Sequence, residues 1–229
     1  MSDDGIVRVW RVSIGDRTAA SVAALLSDDE RARAARYRFD RDRNQFVAVR
    51  GWLRRLLGEY LKREPADICF GLGPQGKPMV VDANVDLRFN VSHSGNVGLF
   101  AFCRGRDVGV DVERHDTRVE IAELAETCFS IAERESLRAL PEGAQSARFF
   151  QLWAAKEACI KALGGGLSIP LLDFTVGVND DTDGWTVEMT TAPGDRGALV
   201  VRRIDVPPGY AGAVAAPGDD WDVVVRDLE

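Results

Sequence analysis

Six residues, VGVDVE at 108–113, decide how the rest of the chain is interpreted. Apolar and polar side chains alternate with a period of two, which is typical of a β-strand with one buried face. The valines share that face, whereas Asp111 and Glu113 lie together on the other, about 7 Å apart. Two carboxylates at this spacing repel each other, so they are expected either to face solvent or to hold a cation. The hexapeptide alone leaves both interpretations open.

An amphipathic helix is predicted over residues 147–163, ending at three consecutive glycines. One stripe of this helix carries Trp153 and small alanines, together with Glu157 and Lys161. On an exposed face, the last two would form an ordinary ion pair four residues apart. On a face that borders a cleft, Glu157 would add a third carboxylate to Asp111 and Glu113. Three hard oxygen ligands favour Mg²⁺, whereas His115, on the same face as Asp111, would permit a softer metal or could be a surface residue.

The other segments predict an α+β fold. Capping boxes at 27–30 and 130–133 indicate helix starts, a longer helix follows Asp40 or Asp42, and residues 119–140 are expected to form a broken helix. Residues 97–103 and 108–113 flank a polar turn and predict a β-hairpin. Strands are also expected at 6–12 and 85–91, and at five places after residue 170: 174–178, 184–190, 198–206, 210–215 and 221–226.

Composition excludes several classes of protein. The 229 residues are 45% hydrophobic and 28% charged, as in an ordinary globular protein. No apolar run is long enough for a membrane span, and the acidic N-terminus lacks a signal-peptide core. The four cysteines are scattered and are expected to be free thiols, so a cytoplasmic protein is predicted.

Charge is unevenly distributed along the chain. The net charge is −7, yet residues 27–63 hold eleven Arg or Lys against six Asp or Glu. This basic segment can be a solvated helix face or can bind an anionic ligand. An acidic protein is a poor general binder of nucleic acid, so no nucleic-acid partner is expected.

The segment FNVSHSG at 89–95 ends a strand in a polar turn. Ser92 and His93 can present a hydroxyl and an imidazole to a phosphate, or can simply form a turn. No nucleophile elbow and no third residue for a triad accompany them, which argues against serine hydrolysis. The glycines at 71, 73 and 76 match neither a Walker nor a dinucleotide loop.

Taken in order, four motifs resemble the phosphopantetheinyl transferases of the surfactin-synthetase-activating type. They are GKP at 76–78, FNVSHSG at 89–95, VGVDVER at 108–114 and WAAKEACIKALGGGLS at 153–168. The resemblance spans about residues 5–215. It implies a pseudo-twofold pair of similar α+β halves with the active site between them, here 1–107 for coenzyme A phosphates and 108–229 for the metal and the catalytic helix.

The same resemblance implies an activity and its residues. Such enzymes transfer the phosphopantetheine arm of coenzyme A to a serine of a carrier protein. Mg²⁺ would lie on Asp111, Glu113 and Glu157, with Glu157 and Lys161 as the catalytic pair. Contacts to coenzyme A are expected from six residues: Arg33, Arg50, Lys77, Ser92, His93 and Lys156. The family's second basic position, three residues before Arg33, is Glu30 here.

Two other functions are compatible with these residues. A metal-dependent nuclease also needs an acidic group with a lysine, and a non-catalytic module would bind coenzyme A or a carrier without transfer. The resemblance favours a monomeric enzyme acting on an acyl or peptidyl carrier protein in fatty acid, polyketide or non-ribosomal peptide synthesis. The apolar residues Ile121, Leu124, Phe129 and Ile131 of 119–140 are expected either to pack the core of the second half or to line the carrier-docking groove.

Overall fold

The computed structural model describes residues 5–73, 76–81, 86–165, 169–178, 184–189 and 198–228, with the backbone alone for 178 and 184–189. The fold is α+β, as the sequence predicts. The helices are α1 (Asp16–Val22), α2 (Asp28–Ala34), α3 (Asp40–Leu61), α4 (Ile121–Cys128), α5 (Ile131–Arg138) and α6 (Glu142–Leu163). None of the helices in these ranges is long and apolar enough to cross a bilayer.

The strands form two main sheets and one small hairpin. They are β1 (Ile6–Ser13), β2 (Phe70–Leu72), β3 (Pro78–Val80), β4 (Leu87–Ser94), β5 (Val97–Arg104), β6 (Gly109–Arg114), β7 (Phe174–Val178), β8 (Gly184–Met189), β9 (Leu199–Ile204), β10 (Tyr210–Pro217) and β11 (Asp222–Leu228). The predicted strand at 85–91 begins at Leu87 in the structure, and its first residue lies outside the described residues. The same holds for the last residue of the predicted strand 184–190.

The first sheet has the order β11-β1-β5-β4 and is covered by α3. Trp52, Leu56 and Leu57 of this helix share a core with Phe100 and Phe102 of β5. Helix α1, which the sequence analysis missed, packs on α3 so closely that a Cβ at Gly51 would lie 2.5 Å from the Val22 side chain. Its seven residues bury only Ala19 and Val22, so it carries almost no periodic signal.

The second sheet has the order β6-β10-β9-β8-β7 and is covered by α6. Both predicted capping boxes are confirmed, at the starts of α2 and α5. The predicted break in 119–140 is also confirmed, because α4 ends at Cys128 and α5 begins at Ile131. A third core lies between the sheets and contains valines of β1 and β6.

The predicted hairpin between 97–103 and 108–113 is wrong. Both segments are strands, but β5 pairs with β4 and β1, whereas β6 pairs with β10. The true hairpin is β4–β5, and its turn contains Gly95 at φ 53°. Alternation identifies a strand but not its partner, since any two half-buried strands separated by a polar turn show the same pattern. The connection at 105–108 therefore leads from one sheet to the other.

Candidate functional site

The acidic strand β6 lies at the centre of the site. Asp111 and Glu113 project from it on the same side, next to the edge strand β4. Asp111 is buried, and its Oδ1 accepts hydrogen bonds from Ser92 Oγ (2.7 Å) and Lys161 Nζ (2.6 Å). Its Oδ2 is buried without a hydrogen-bond partner among the described residues. A buried carboxylate oxygen without a partner is costly, and a bound cation would satisfy it.

The three carboxylates influence one another electrostatically. Burial, followed by the charge of Asp111, raises the pKa of Glu113 to about 7. The same two causes, in the same order, raise the pKa of Glu157. Like charges close together disfavour ionisation, and a cation among them reverses that effect.

The three carboxylates supply the kind of oxygen donor that Mg²⁺ prefers, but their side chains do not converge on one point. Asp111, Glu113 and Glu157 offer only hard oxygen atoms, which Mg²⁺ prefers, and within the described ranges no protein group bonds to the Oδ2 of Asp111. Across the described ranges, however, no group of three or more His, Cys, Asp or Glu side chains is placed to hold a metal ion together.

The contacts of Lys161 show whether Glu157 and Lys161 form an exposed ion pair or border a cleft, the two alternatives that the sequence left open. Lys161 lies one turn after Glu157 on α6, yet its ion-pair partner is Asp111. Its amine also donates to Ser92 Oγ at 3.1 Å and to the Val110 carbonyl at 3.4 Å. The stripe carrying Glu157 and Lys161 therefore faces the acidic strand, and Lys161 is not the partner of a simple surface pair within the helix.

A cavity of about 530 Å³ opens beside this acidic centre. Arg33, Arg50 and His93 line it, on α2, α3 and β4. Arg50 donates through Nε to Glu30 and lies 3.6 Å from the centre of the Phe70 ring. Packing around the imidazole, followed by the charge of Lys161, lowers the pKa of His93. Three of the six expected coenzyme A contacts thus share one cavity with cationic groups at its wall.

The structure gives Glu30 a definite role. The side chain is buried and accepts hydrogen bonds from Arg50 and from Arg54 Nε (2.5 Å). Hydrogen bonds from the two arginines lower the pKa of Glu30, although burial opposes them. Glu30 therefore holds Arg50 at the cavity wall as well as capping α2, and the capping box in the sequence indicates only the second of these roles.

The side chain of Lys156 is buried and does not line the described cavity, which contradicts its expected contact with coenzyme A. The side chain is 1% exposed and donates to both carboxylate oxygens of Glu133, at 2.9 and 2.7 Å. It also donates to the Phe174 carbonyl at 2.7 Å. Lys156 precedes Glu157 in sequence, but a step of about 100° around an α-helix turns its side chain toward the second sheet's core.

Two other residues expected to contact coenzyme A, Lys77 and Ser92, do not line the described cavity either. The Lys77 amine donates to the carbonyls of Val108 (3.0 Å) and Lys161 (2.9 Å), so it ties the β2–β3 connection to the acidic strand and to α6. Ser92 is buried between Asp111 and Lys161. Its hydroxyl acts on the acidic centre, on the opposite side of β4 from His93.

The expected docking residues divide between core and surface. Phe129 is fully buried against Phe149, so its expected place in a docking groove is wrong. Leu124 and Ile131 are exposed, as that expectation requires. An apolar residue at a helix break looks the same in sequence whether it faces the core or solvent.

Sequence reasoning missed Asn90 and Ser94. Both hydrogen-bond to β6, and Asn90 also lines the cavity. Their signal was present in the sequence, since Asn90, Ser92 and Ser94 place three polar side chains on one side of a strand.

Comparisons with known proteins agree with these features. Residues 107–213 match the family model described as the 4'-phosphopantetheinyl transferase superfamily, and residues 10–103 match the model for the N-terminal part of 4'-phosphopantetheinyl transferase. The chain is 39% identical over 172 residues to the 4'-phosphopantetheinyl transferase HetI of Nostoc sp., covering 73% of this chain and 72% of HetI. It is 30% identical over 198 residues to the 4'-phosphopantetheinyl transferase Sfp of Bacillus subtilis, covering 86% of this chain and 85% of Sfp.

Proposed function

This chain belongs to the 4'-phosphopantetheinyl transferase family, and we propose a residue-level account of how it transfers the phosphopantetheine arm of coenzyme A to a serine of a carrier protein. In this account, Asp111, Glu113 and Glu157 hold Mg²⁺. The single observation that carries it is Asp111, a buried carboxylate with two carboxylates within electrostatic reach and one oxygen that has no hydrogen-bond partner in the described part of the chain.

The cavity beside β4 is proposed to hold the nucleotide end of coenzyme A. Arg33, Arg50 and His93 line it and supply donors for phosphate oxygens. Charge-assisted hydrogen bonds to phosphate are the stronger class of hydrogen bond. Because Glu30 engages Arg50 through Nε, we propose that the two terminal nitrogens of Arg50 bind the phosphate.

The chemistry requires a serine oxygen to form a bond to the β-phosphorus while the bond from phosphorus to the adenosine bisphosphate oxygen breaks. Bound Mg²⁺ would offset charge on the pyrophosphate oxygens. We propose that Glu157 accepts the serine proton, directly or through water. Lys161 lies between Asp111 and Ser92, where its positive charge can stabilise the departing phosphate.

A transfer assay with fluorescent coenzyme A and a panel of acyl and peptidyl carrier proteins tests this function. We expect Mg²⁺-dependent labelling of the carrier serine, and loss of labelling in Asp111→Asn and Glu157→Gln. Labelling at the wild-type rate by either variant would remove that residue from the site. A protein that binds coenzyme A but labels no carrier would be a binding module, and nucleic-acid cleavage instead would favour the nuclease.

Arg33→Ala tests the nucleotide site. We expect the KM for coenzyme A to rise about 10-fold, from the loss of a charge-assisted contact worth roughly 1.5 kcal/mol. Arg36→Ala is the matched control, since Arg36 is an exposed arginine of the same segment that does not line the described cavity. Equal rises in both variants would show that Arg33 contributes only general charge.

The remaining features of the proposal concern partners and location. All four cysteines are free, which is consistent with the cytoplasmic location that we propose. We also propose that the enzyme acts as a monomer, because both the cavity wall and the acidic strand come from one chain, and that it has no nucleic-acid or membrane partner.

A further inference from the structure

Strands β4 and β6 meet without backbone pairing. Each is the edge strand of a different sheet, yet three side chains of β4 accept hydrogen bonds from N–H groups of β6. Asn90 Oδ1 accepts from Val110 (2.9 Å), Ser92 Oγ from Val112 (3.4 Å) and Ser94 Oγ from Arg114 (3.1 Å). The contacts advance by two residues on both strands, so side-chain oxygens occupy the places that carbonyls would take in a sheet.

Each serine of this junction has a second bond. The Ser92 hydroxyl donates to Asp111 Oδ1 at 2.7 Å, and the Ser94 hydroxyl donates to Glu113 Oε2 at 3.3 Å. A hydroxyl has one proton and two lone pairs. Accepting from a fixed backbone N–H therefore orients each oxygen, while its single proton is directed to the carboxylate.

Ser94 is the most selective position at which to test this junction. Asn90 also lines the cavity, and Ser92 also contacts Lys161. The side chain of Ser94, by contrast, bonds only with Glu113 and the Arg114 N–H among the described residues. A change at Ser94 therefore acts on one carboxylate and leaves the cationic groups of the cavity in place.

We propose that Ser94 is a positioning residue that fixes the Glu113 carboxylate for the metal ion, so that β4, which also contributes to the cavity wall, aligns the acidic strand with the cavity. This inference rests on the proposed Mg²⁺ site. Hydrogen-bond partners of metal ligands commonly change metal affinity 10- to 100-fold when removed. The Ser94 contact is longer than an ideal hydroxyl–carboxylate bond, so the lower end of that range applies.

The test compares Ser94→Ala with Ser94→Thr, which keeps the hydroxyl. Mg²⁺ alone is titrated into the full chain by calorimetry, and KM values for Mg²⁺ and coenzyme A are measured in the transfer assay. Ser94→Ala is expected to bind Mg²⁺ about 10-fold more weakly, with its KM for coenzyme A and its melting temperature close to wild type. Ser94→Thr should recover most of the affinity.

The control is Ser21→Ala, which removes a hydroxyl bonded only to the Thr18 carbonyl of α1. If Ser94→Ala fails to fold, Ser94→Cys replaces it, because a thiol has nearly the same shape but is a weak donor. Two results would overturn the role of Ser94 while leaving the metal site intact. One is wild-type Mg²⁺ affinity in the variant that lacks the hydroxyl, and the other is an equal loss of Mg²⁺ affinity in Ser94→Ala and Ser94→Thr. No Mg²⁺ binding by the wild-type protein would instead overturn the metal site, and the role of Ser94 with it.

Discussion

At the scale of single residues, the main feature of the site is a set of partly buried carboxylates whose negative charges repel one another. One oxygen of Asp111 accepts hydrogen bonds from Ser92 and Lys161, and the other has no partner among the residues that the structure describes. Glu113 and Glu157 both hold protons more tightly than ordinary glutamates do. Such groups stabilise the folded chain little by themselves, and the cation that we propose among them would make their arrangement favourable.

The pKa of Glu113 predicts how the stability of the metal-free protein depends on pH. Its ordinary value of 4.5 is raised to about 7 in the folded state, so the unfolded chain loses this proton first as pH rises. Between those two values the folded state binds more protons, and the free energy of unfolding must therefore fall as pH increases. Chemical denaturation in the presence of a chelator, carried out at several pH values in this window, measures the slope. Glu113→Gln should flatten it, and an unchanged slope would show that other groups are responsible.

At the scale of elements, the approach of β6 to α6 fixes the distance between the two sets of functional residues. Gly109 begins β6, and a Cβ built there would lie 2.0 Å from the Ala158 carbonyl and 2.3 Å from the Ala162 amide nitrogen. Only glycine allows the acidic strand to lie so near the helix that carries Glu157 and Lys161. The glycine of the VGVDVE motif is thus a packing requirement rather than a turn.

Gly109→Ala tests this contact. Because the obstructing atoms are backbone, relief requires the strand or the helix to move, and we expect a loss of about 1–3 kcal/mol in stability together with loss of transfer. Gly143→Ala, in the helix α6 against which Gly109 packs, is the control, since a Cβ at Gly143 would meet nothing within 4 Å. That variant should be as stable as wild type or up to about 1 kcal/mol more stable. Wild-type turnover by Gly109→Ala would show that the strand-to-helix distance is not critical.

A second contact between elements joins α5, α6 and β7 through one buried ion pair. Glu133 caps α5 through the Ser130 N–H, accepts from the Val176 N–H of β7 and pairs with Lys156 of α6. Both side chains are 1% exposed. The charges are therefore compensated within the core, and breaking one partner leaves the other uncompensated.

Lys156→Met is expected to lower stability by about 3–5 kcal/mol without changing the KM for coenzyme A of the folded fraction. The double variant Glu133→Gln with Lys156→Met should recover part of the loss, because glutamine carries no charge and can still accept from the backbone. Thermal denaturation and the transfer assay measure the two effects. A raised KM for coenzyme A at an unchanged melting temperature would contradict this prediction and indicate that Lys156 contacts coenzyme A.

At the scale of the whole molecule, the two sheets depend on each other. The last strand, β11, pairs in parallel with β1 over Ile6↔Asp222 to Val12↔Leu228, so the end of the chain belongs to the first sheet. The β4–β6 hydrogen bonds and the core between the sheets join the same two parts again. Strand β4 thereby carries both residues of the cavity wall and side chains that bind the acidic strand.

This interdependence predicts that neither 1–107 nor 108–229 folds alone. The first fragment lacks β11, and the second exposes the N–H groups of β6 that β4 otherwise satisfies. Circular dichroism and amide exchange of each fragment test the prediction, with residues 222–228 linked to 1–107 as the matched control. The control should be better protected from exchange than 1–107. A cooperative thermal transition in unmodified 1–107 would contradict the prediction and support an independent first half.

The sequence by itself determined the class of fold, the family and the acidic strand. Alternation over 108–113, the two capping boxes and the glycines after α6 are local patterns, and each corresponds to a local physical preference of the backbone. The motifs indicated the 4'-phosphopantetheinyl transferase family, which the comparisons confirm. The sequence also placed Asp111 and Glu113 on the same side of one strand, which needs nothing beyond the period of two.

Only the tertiary structure decided which strands pair and which partner each charged group takes. It separated β5 from β6, returned β11 to the first sheet and placed Lys156 in the core beside Glu133. It likewise turned Lys161 toward Asp111 and brought Ser94 to Glu113. These contacts join residues far apart in sequence, and they depend on how sheets and helices pack around shared cores. A pattern read along the chain reports the periodicity of one element and contains no information about the element across from it.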